Sequence, residues 1–288
     1  MKLACIHTHT IFCDGHDDVE TCCQAAYKKG LLSLGFSAHA PLIKKTGFKT
    51  DWHLPDEKLE EYLDSVRAAK KRWDGKLPIY LGLEVDFIKG IMGPADKDYC
   101  EMSLDYIIGA VHYLIPPKGA PFTVDDTEEN VCKGIEEGFG KDARAMVKAY
   151  FRAEEEMISS GGFDLLAHPD LVKKNNGGDR LFSEEEDYYR EKTASIADLL
   201  GRSGIKAEIN TGGLNRGKIK DCYPSREFLK LFYKNKVPMV INADAHRAED
   251  LDGYYEKAIE ALLATGYGET LIFNGKKNGE AVWEKIPL

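Results

Sequence analysis

Histidines and carboxylates recur at, or just past, the ends of short apolar runs along this chain. Six such clusters are present, and they lie at 7–14, 38–40, 83–86, 110–112, 167–169 and 243–246. Neutral imidazole and carboxylate are the ligands that divalent transition metals prefer in proteins. One cluster alone would carry little weight. Six of them, each at the end of an apolar run, predict one multinuclear metal centre assembled from many strands.

Two pairs of candidate ligands are spaced two residues apart. On an extended strand end, His7 and His9 point to the same side, so both can reach one metal ion. Asp244 and His246 repeat this spacing after the apolar run 239–241. We expect Asp244 to share a metal with the first pair, while His246 faces a neighbouring ion.

Glu84 ends the apolar run 79–83. A carboxylate at the end of a buried strand costs free energy unless it is paired or binds a metal. Glutamate can also bridge two cations with one oxygen each, although an ion pair with a lysine or arginine is the simpler alternative. Asp86 points the same way as Glu84 and is a candidate to orient a ligand histidine.

The remaining candidate ligands are single residues near other strand ends. His112 and His168 each close an apolar strand, and His39 follows another. Asp14 lies in a Cys-Asp-Gly turn, where turn chemistry alone is the alternative explanation. His16 is close enough in sequence to replace or supplement Asp14.

Cationic side chains predict an anion site beside these ligands. The stretch 210–218 has glycines that expose backbone N–H groups, and its Arg216 offers a planar fork that suits phosphate. Lys218 ends the same stretch, and Lys173 follows His168 by five residues. A solvated surface charge is the alternative for each lysine. His53, in a loop, is a candidate for facing the substrate.

The elements that must position these groups alternate along the chain. Apolar patterning predicts strands over 2–6, 31–36, 78–85, 106–111, 164–167, 206–209 and 238–243. Helices are predicted over 18–29, 56–73, 141–160, 183–202, 225–235 and 254–265, with a capping box formed by Ser183 and Glu186. A hairpin is expected over 270–286, with its turn at Asn274-Gly275 or Asn278-Gly279.

This pattern predicts an α/β fold of about seven β/α units in a single domain, 1–288. The strands are mostly continuously apolar, as buried parallel sheets require. Candidate ligands follow nearly every strand, which favours a closed α/β barrel over an open sheet, where sites gather at one switch point. The stretch 115–140 is rich in Pro, Gly and acidic residues and is a candidate active-site loop or lid.

Composition excludes several classes of protein. Hydrophobic content is 43% and charged content 30%, as in globular proteins rather than disordered ones. No apolar run approaches the roughly 18 residues of a membrane span, and a net charge of −9 lacks the basic footprint of nucleic-acid binding. The seven cysteines form no Cys-x-x-Cys pair, and the first residues leave no room for a signal peptide. We therefore expect a cytoplasmic protein with free thiols.

In combination and order, the motifs resemble the polymerase-and-histidinol-phosphatase (PHP) family of metal-dependent phosphoesterases. The resemblance covers essentially the whole chain and rests on residues 7–15, 37–42, 82–86, 109–113, 167–171, 208–211 and 242–246. The stretch 209–225 and the chain length are similar to the stand-alone histidinol-phosphate phosphatases of histidine biosynthesis.

The resemblance implies a distorted (β/α)7 barrel with three divalent metal ions of zinc, iron or manganese. His7, His9, Glu84 and Asp244 would hold the first ion, and Glu84 would bridge to a second, which His112 and His168 also hold. Asp14, His39 and His246 would hold the third.

The implied reaction is phosphomonoester hydrolysis, with L-histidinol phosphate as the leading substrate and neither nucleic acid nor membrane as a partner. Cations activate water for in-line attack on phosphorus, while Arg216 and Lys173 neutralise phosphoryl oxygens. His53 and Asp244 are candidates for protonating the leaving group. The alternatives are another small phosphate ester as substrate, a nuclease, and a non-catalytic metal-binding or regulatory protein.

Overall fold

Eight strands form one mostly parallel sheet that follows the chain order closely. The structure is a computed structural model that describes residues 3–42, 47 and 50–288. The strands are β1 (Leu34–His39), β2 (Ile79–Asp86), β3 (Tyr106–Ala110), β4 (Tyr113–Leu114), β5 (Phe122–Thr123), β6 (Leu165–Leu166), β7 (Lys206–Asn210), β8 (Met239–Asn242), β9 (Glu269–Lys277) and β10 (Glu280–Pro287). The sheet order is β1-β2-β3-β6-β7-β8-β9-β10, and β4 pairs with β5 in a separate two-stranded sheet. Only β10 runs antiparallel to its neighbour in the large sheet.

Helices connect these strands and cover the sheet. They are α1 (Val19–Lys29), α2 (Leu59–Arg72), α3 (Lys97–Cys100), α4 (Glu128–Phe139), α5 (Ala143–Ser160), α6 (Asp187–Ser203), α7 (Gly212–Asn215), α8 (Arg226–Lys234) and α9 (Tyr255–Thr265). The Asp18 carboxylate accepts a hydrogen bond from the Thr21 amide and so caps α1, as expected where an acidic residue precedes a helix. None of the helices within the described ranges has the length and apolar content needed to cross a bilayer.

The capping box predicted for α6 is wrong. This helix begins at Asp187 and has no side-chain cap at Glu186. The Ser183 hydroxyl instead donates to Asp179 and accepts from the Glu185 amide, so it stabilises a turn before the helix. Local hydrogen bonds of this kind compete with capping, which is why the sequence pattern placed the helix start too early.

The N-terminal segment 3–10 lies between β1 and the residues that follow β8. Its predicted strand is reduced to isolated parallel bridges, one from Cys5 to Leu34 and one from Thr8 to Ala245. Lys2, where that prediction began, lies outside the described residues. Backbone hydrogen bonds join the His9 amide to the Ala245 carbonyl (2.8 Å) and the Ala245 amide to the His7 carbonyl (3.0 Å). Hydrogen bonds to the residues that follow β8 therefore fix the backbone of both histidines.

Both faces of the sheet are buried, as the continuously apolar strands predicted. One face packs on the helices in a large core. The other face forms a smaller cluster of alternate residues, which comprises Ile6, Tyr106, Ile108, Ala110, Leu165, Ala167, Val240 and Phe273. The predicted C-terminal hairpin is confirmed, and its turn lies at Asn278-Gly279, where both residues have positive φ (55° and 85°).

The sequence had suggested a loop over 115–140, but only part of this stretch is a loop. It contains β5 and the twelve-residue helix α4, capped by the Thr127 hydroxyl, which accepts from the Asn130 amide. The lack of a side chain at Gly134 within this helix has a packing reason. A Cβ at this position would lie 2.5 Å from the Phe122 ring.

Candidate metal centre

The predicted ligands come together where the parallel strands end. His39 is the last residue of β1 and is paired in register with Glu84 on β2. His112, His168 and Asp244 follow β3, β6 and β8 within two residues. Because parallel strands end at the same edge of a sheet, these side chains share one site.

Glu84 lies at the middle of this group and is only 1% exposed. Five imidazoles surround its two carboxylate oxygens. The nitrogens nearest to Oε2 belong to His39 (2.9 Å), His7 (3.3 Å) and His9 (3.6 Å), and those nearest to Oε1 belong to His168 (3.0 Å) and His112 (3.8 Å). A single carboxylate that reaches five imidazoles on four different segments is suited to bridging cations.

The orientation of two imidazoles is fixed by carboxylates behind them. His7 Nδ1 lies 3.0 Å from Glu208, and His112 Nδ1 lies 2.9 Å from Asp86. An ionised carboxylate only accepts hydrogen bonds, so each Nδ1 carries a proton, and a ring that has lost its Nε2 proton turns that lone pair towards Glu84. The buried His7 Nε2 and Glu84 Oε2 have no hydrogen-bond partner among the described residues. Lone pairs that converge in this way fit a divalent cation.

A second group of donors adjoins the first. His246 Nε2 lies 3.0 Å from Asp14 Oδ2, and Asp14 Oδ1 lies 3.6 Å from His9 Nδ1 and 3.7 Å from His39 Nε2. The His16 side chain is exposed, whereas its amide donates to the His246 carbonyl. The sequence left undecided whether Asp14 or His16 supplies a donor here, and in the structure the donor is Asp14.

Four overlapping sets of side chains bring their donor atoms within 4.8 Å of one another. The sets are His9–Asp14–His39–His246, His7–His9–Glu84, His39–Asp86–His112 and Glu84–His112–His168. All nine predicted ligands except Asp244 belong to a set, and Asp244 Oδ1 lies 3.2 Å from His9 Nε2. The donor chemistry and the shared members fit several divalent ions held close together.

Two site residues have a backbone conformation that non-glycine residues rarely adopt. The φ angle is 21° at His168 and 48° at Asp244. Such conformations cost about 1–3 kcal/mol each and persist where surrounding contacts hold them. Glu208 accepts from the His168 amide (2.9 Å), and Arg216 donates to the Asp244 carbonyl (3.1 Å). The strain turns both side chains into the site.

Glu208 is the functional residue that the sequence reasoning missed. Its fully buried carboxylate accepts from His7 Nδ1, the His168 amide, Asn210 Nδ2 (2.6 Å) and Asn242 Nδ2 (2.9 Å). The available signal was a glutamate inside the predicted strand 206–209, where a buried charge needs partners.

The comparisons with known proteins agree with this geometry. A model of the PHP domain matches residues 6–212, which is well over half of the chain. The chain belongs to the PHP family. The resemblance drawn from the motifs is therefore confirmed.

Relatives of this PHP protein match most of its length. The histidinol-phosphatase of Bacillus subtilis is 27% identical over 266 residues, which cover 88% of this chain and 97% of the relative. A Deinococcus radiodurans protein named "Probable histidinol-phosphatase" is 29% identical over 273 residues, covering 94% and 96%. A Lactococcus lactis histidinol phosphate phosphatase, solved with zinc, L-histidinol and phosphate, superposes with a TM-score of 0.65 at 19% identity and covers 96% of this chain and all of that one. At that identity the superposition shows the shared fold.

The metal centre of this PHP protein forms the floor of a cleft of about 420 Å³. The other residues that line the cleft come from four segments, and they comprise Asp51, Trp52, Thr123, Asp125, Asp126, Leu171, Lys174 and Arg216. Residues 123–126 belong to the stretch predicted as an active-site loop, so part of that stretch does reach the cleft. Its action as a lid stays a prediction.

Two predicted phosphate-binding lysines lie outside the cleft. The Lys173 ammonium group donates to Asp170 (2.9 Å) and to the Cys222 carbonyl (3.3 Å), and it lies over the Tyr223 ring. The Lys218 side chain is exposed, and its amide donates to the Gly213 carbonyl. The turn after β6 rotates Lys173 inward and leaves its neighbour Lys174 to line the cleft.

Replacing Lys173 with methionine is expected to destabilise the protein by about 3 kcal/mol, because it leaves a buried carboxylate without its counter-ion. Asp170 is fully buried, and the Lys173 side chain is only 10% exposed. Denaturant unfolding would measure the loss, with Lys218→Met as a control that should change stability by less than about 0.5 kcal/mol. A lower affinity for phosphate without a loss of stability would contradict this interpretation.

Arg216 lines the cleft, as predicted, but its guanidinium is already engaged. It donates to Asp244 Oδ2 (2.8 Å) and contacts His246 Nδ1 (2.9 Å). The glycines beside it serve packing rather than exposing amides. A Cβ at Gly212 would lie 2.6 Å from Asp244 Oδ2, and the Gly212 amide donates to Asn210. Arg216 therefore positions two ligands and presents charge to the cleft.

The structure does not place His53 in contact with substrate. The ring is 6% exposed, and its two nitrogens pair with Asp86 Oδ2 (2.9 Å) and the Thr50 hydroxyl (2.8 Å). Trp52, whose ring is tilted by 39° against the His53 ring with centroids 3.7 Å apart, lines the cleft in its place. His53 thus shares its partner Asp86 with His112 and does not itself line the cleft. It is therefore poorly placed to act as the general acid.

The charge around the histidines predicts proton release on metal uptake. Burial disfavours the charged form, but carboxylates outweigh it: the pKa of His7 is raised well above 6.5 by Glu208 and Glu84, and that of His112 is raised to about 10, mainly by Asp86. Both rings are therefore positively charged at pH 7 in metal-free protein. A cation that binds Nε2 must displace the proton on that nitrogen.

We expect zinc titration of metal-free protein at pH 7 to release protons, and the release from His112 to diminish as the pH rises through about 10. Calorimetry in buffers of different ionisation enthalpy would measure it. Heats that are independent of the buffer would contradict the expectation. His9 contributes nothing, since burial and neighbouring histidines lower its pKa to about 3.

Proposed function

We propose that this protein is a metal-dependent histidinol-phosphate phosphatase, which hydrolyses L-histidinol phosphate to L-histidinol and phosphate. The observation that carries the proposal is the convergence of nine histidine and carboxylate side chains, with Glu84 among them, at one cleft. The names of the two relatives support this substrate, as do the zinc, L-histidinol and phosphate bound in the Lactococcus lactis protein.

We further propose three divalent ions, drawn from zinc, iron and manganese. His7, His9, Glu84 and Asp244 would hold one, Glu84 with His112 and His168 a second, and Asp14, His39 and His246 a third. The overlapping donor sets support this partition. When bound, such ions would acidify water and neutralise charge on the phosphoryl oxygens.

The chain's own residues would then hold and orient the reactants. Arg216 adds a positive charge on the cleft wall beside the ligands, and charge-assisted contacts of this kind suit a phosphate group. Asp244 was a candidate proton donor. Although burial raises its pKa, Arg216 and His7 lower it well below the usual range, so Asp244 serves as an anionic ligand.

The segment 3–10 supports a closed seven-stranded barrel. It hydrogen-bonds to β1 through Cys5 and to the residues after β8 through His7 and His9. With β1, β2, β3, β6, β7 and β8, this segment would complete a distorted (β/α)7 ring whose strand ends all face the cleft.

Metal analysis paired with steady-state rates tests the proposed function. Purified protein should contain more than one divalent ion per chain, and histidinol phosphate should be hydrolysed faster than generic sugar phosphates. Equal rates on all these esters would indicate a phosphatase that does not prefer histidinol phosphate. Bound metal with no hydrolysis of any phosphomonoester would favour a non-catalytic protein.

A further inference from the structure

An ion pair lies on the cleft wall directly above the metal ligands. Lys174 Nζ donates to Asp125 Oδ2 at 3.1 Å, and the side chains are 16% and 26% exposed. Asp125 and Lys174 line the same cleft as the ligands His112 and His168. The pair thus faces the space that a substrate on the metal floor would fill.

The two oxygens of Asp125 differ. Oδ2 accepts from Lys174, whereas Oδ1 accepts no hydrogen bond from the described residues and belongs to a cleft-lining side chain. Among the residues that the structure describes, Lys174 and Arg216 are the lysine and the arginine that line the cleft, and each has a carboxylate partner already. This described part of the wall therefore offers a free carboxylate oxygen rather than a free cation.

We propose that Asp125 determines specificity by accepting a hydrogen bond from the substrate's ammonium group through Oδ1, while Lys174 neutralises part of its charge through Oδ2. The inference rests on the proposed function and extends it to a substrate class, phosphate esters of β-amino alcohols. In such an ester the amine is one carbon beyond the ester carbon. With its phosphate on the metal floor, the ammonium group lies beside the wall just above that floor.

The other two acidic residues of the wall are less suited to this role. Both oxygens of Asp126 are engaged at the start of α4, where they accept from the Thr127 amide (2.6 Å) and from Asn130 Nδ2 (2.9 Å). Asp51 is exposed to solvent, which weakens any ion pair that it forms.

The test compares two esters that differ only in the amine, histidinol phosphate and 3-(imidazol-4-yl)propyl phosphate. The measured quantity is the ratio of their kcat/KM values in metal-loaded protein. For Asp125→Asn we expect this ratio to fall about tenfold, as for loss of one charge-assisted hydrogen bond. Asp125→Glu should recover part of the ratio.

Lys174→Met should change the ratio in the opposite direction. Without its counter-ion, Asp125 repels the phosphate of both esters, but only histidinol phosphate offers a compensating ammonium group. The ratio should therefore rise above that of wild type, whereas a lysine that bound phosphate would, when removed, weaken both esters equally. Asp126→Asn is the matched control and should leave the ratio unchanged.

An unchanged ratio in Asp125→Asn, with wild type preferring the amine, overturns the inference and leaves the proposed function standing. Wild-type protein that hydrolyses neither ester when loaded with metal overturns the proposed function itself.

Discussion

Replacing Glu84 with glutamine is expected to lower phosphatase turnover on the order of 10³-fold and to reduce bound metal. The carboxylate meets five imidazoles and can bind one cation with each oxygen. A glutamine keeps one weak acceptor and puts an NH2 group where a lone pair is needed. Both neighbouring ions therefore lose a ligand, and the local negative charge that attracts them is removed.

The measurement pairs elemental analysis with steady-state rates across a range of added metal. Excess metal should not restore turnover, because the missing ligand lies between the ions. Normal metal content and normal turnover in Glu84→Gln would refute the assignment of this residue as a bridge.

Glu154 offers a matched control. It is another glutamate that is 1% exposed, on α5, outside the nine ligands. Burial raises its pKa well above the usual range, so the group is neutral, and Tyr150 donates to it (3.1 Å). Because glutamine imitates a protonated glutamate in shape and charge, Glu154→Gln should retain both metal and activity.

The positions of the ligands could be predicted because their chemistry and their place in the chain are both local signals. Histidine at the end of an apolar run marks a strand end, and parallel strands bring their ends together. For this reason His39, His112 and His168 were expected in the same centre as Glu84, and in the structure their nearest nitrogens lie 2.9, 3.8 and 3.0 Å from its carboxylate oxygens.

The direction of side chains within turns could not be predicted in this way. Lys173 and Lys174 are adjacent, and only the fold of the turn after β6 decides that one pairs with buried Asp170 and the other faces the cleft. His53 was misjudged for a related reason, since its partner Asp86 is more than thirty positions away. Long-range pairing of polar groups leaves no local pattern in the sequence.

Helix α4 was missed because glycine and proline, in which the stretch 115–140 is rich, favour loops in isolation. Its helix is stabilised instead by packing against the β5 segment, where Phe122 fills the space beside Gly134. Tertiary contact outweighed local propensity here.

Replacing Glu208 with glutamine is expected to weaken metal binding about 10- to 100-fold, although this residue touches no ion in the proposed assignment. Four donors surround its carboxylate: His7 Nδ1, the His168 amide, Asn210 Nδ2 and Asn242 Nδ2. In either orientation, the glutamine NH2 group faces at least one of these donors. The lost hydrogen bonds would loosen the ring orientation of His7, which depends on this acceptor, and the strained backbone of His168.

The response to added metal separates this role from that of Glu84. In Glu208→Gln the ligands themselves remain, so turnover should recover towards the wild-type rate as the metal concentration rises. In Glu84→Gln it should stay low. The readout is the metal concentration that gives half-maximal activity, with Glu154→Gln again as the control for a buried glutamate. If Glu208→Gln shows the wild-type metal dependence at a lower rate, its carboxylate supports the fold rather than positioning the ligands, because a purely structural loss would not shift that concentration.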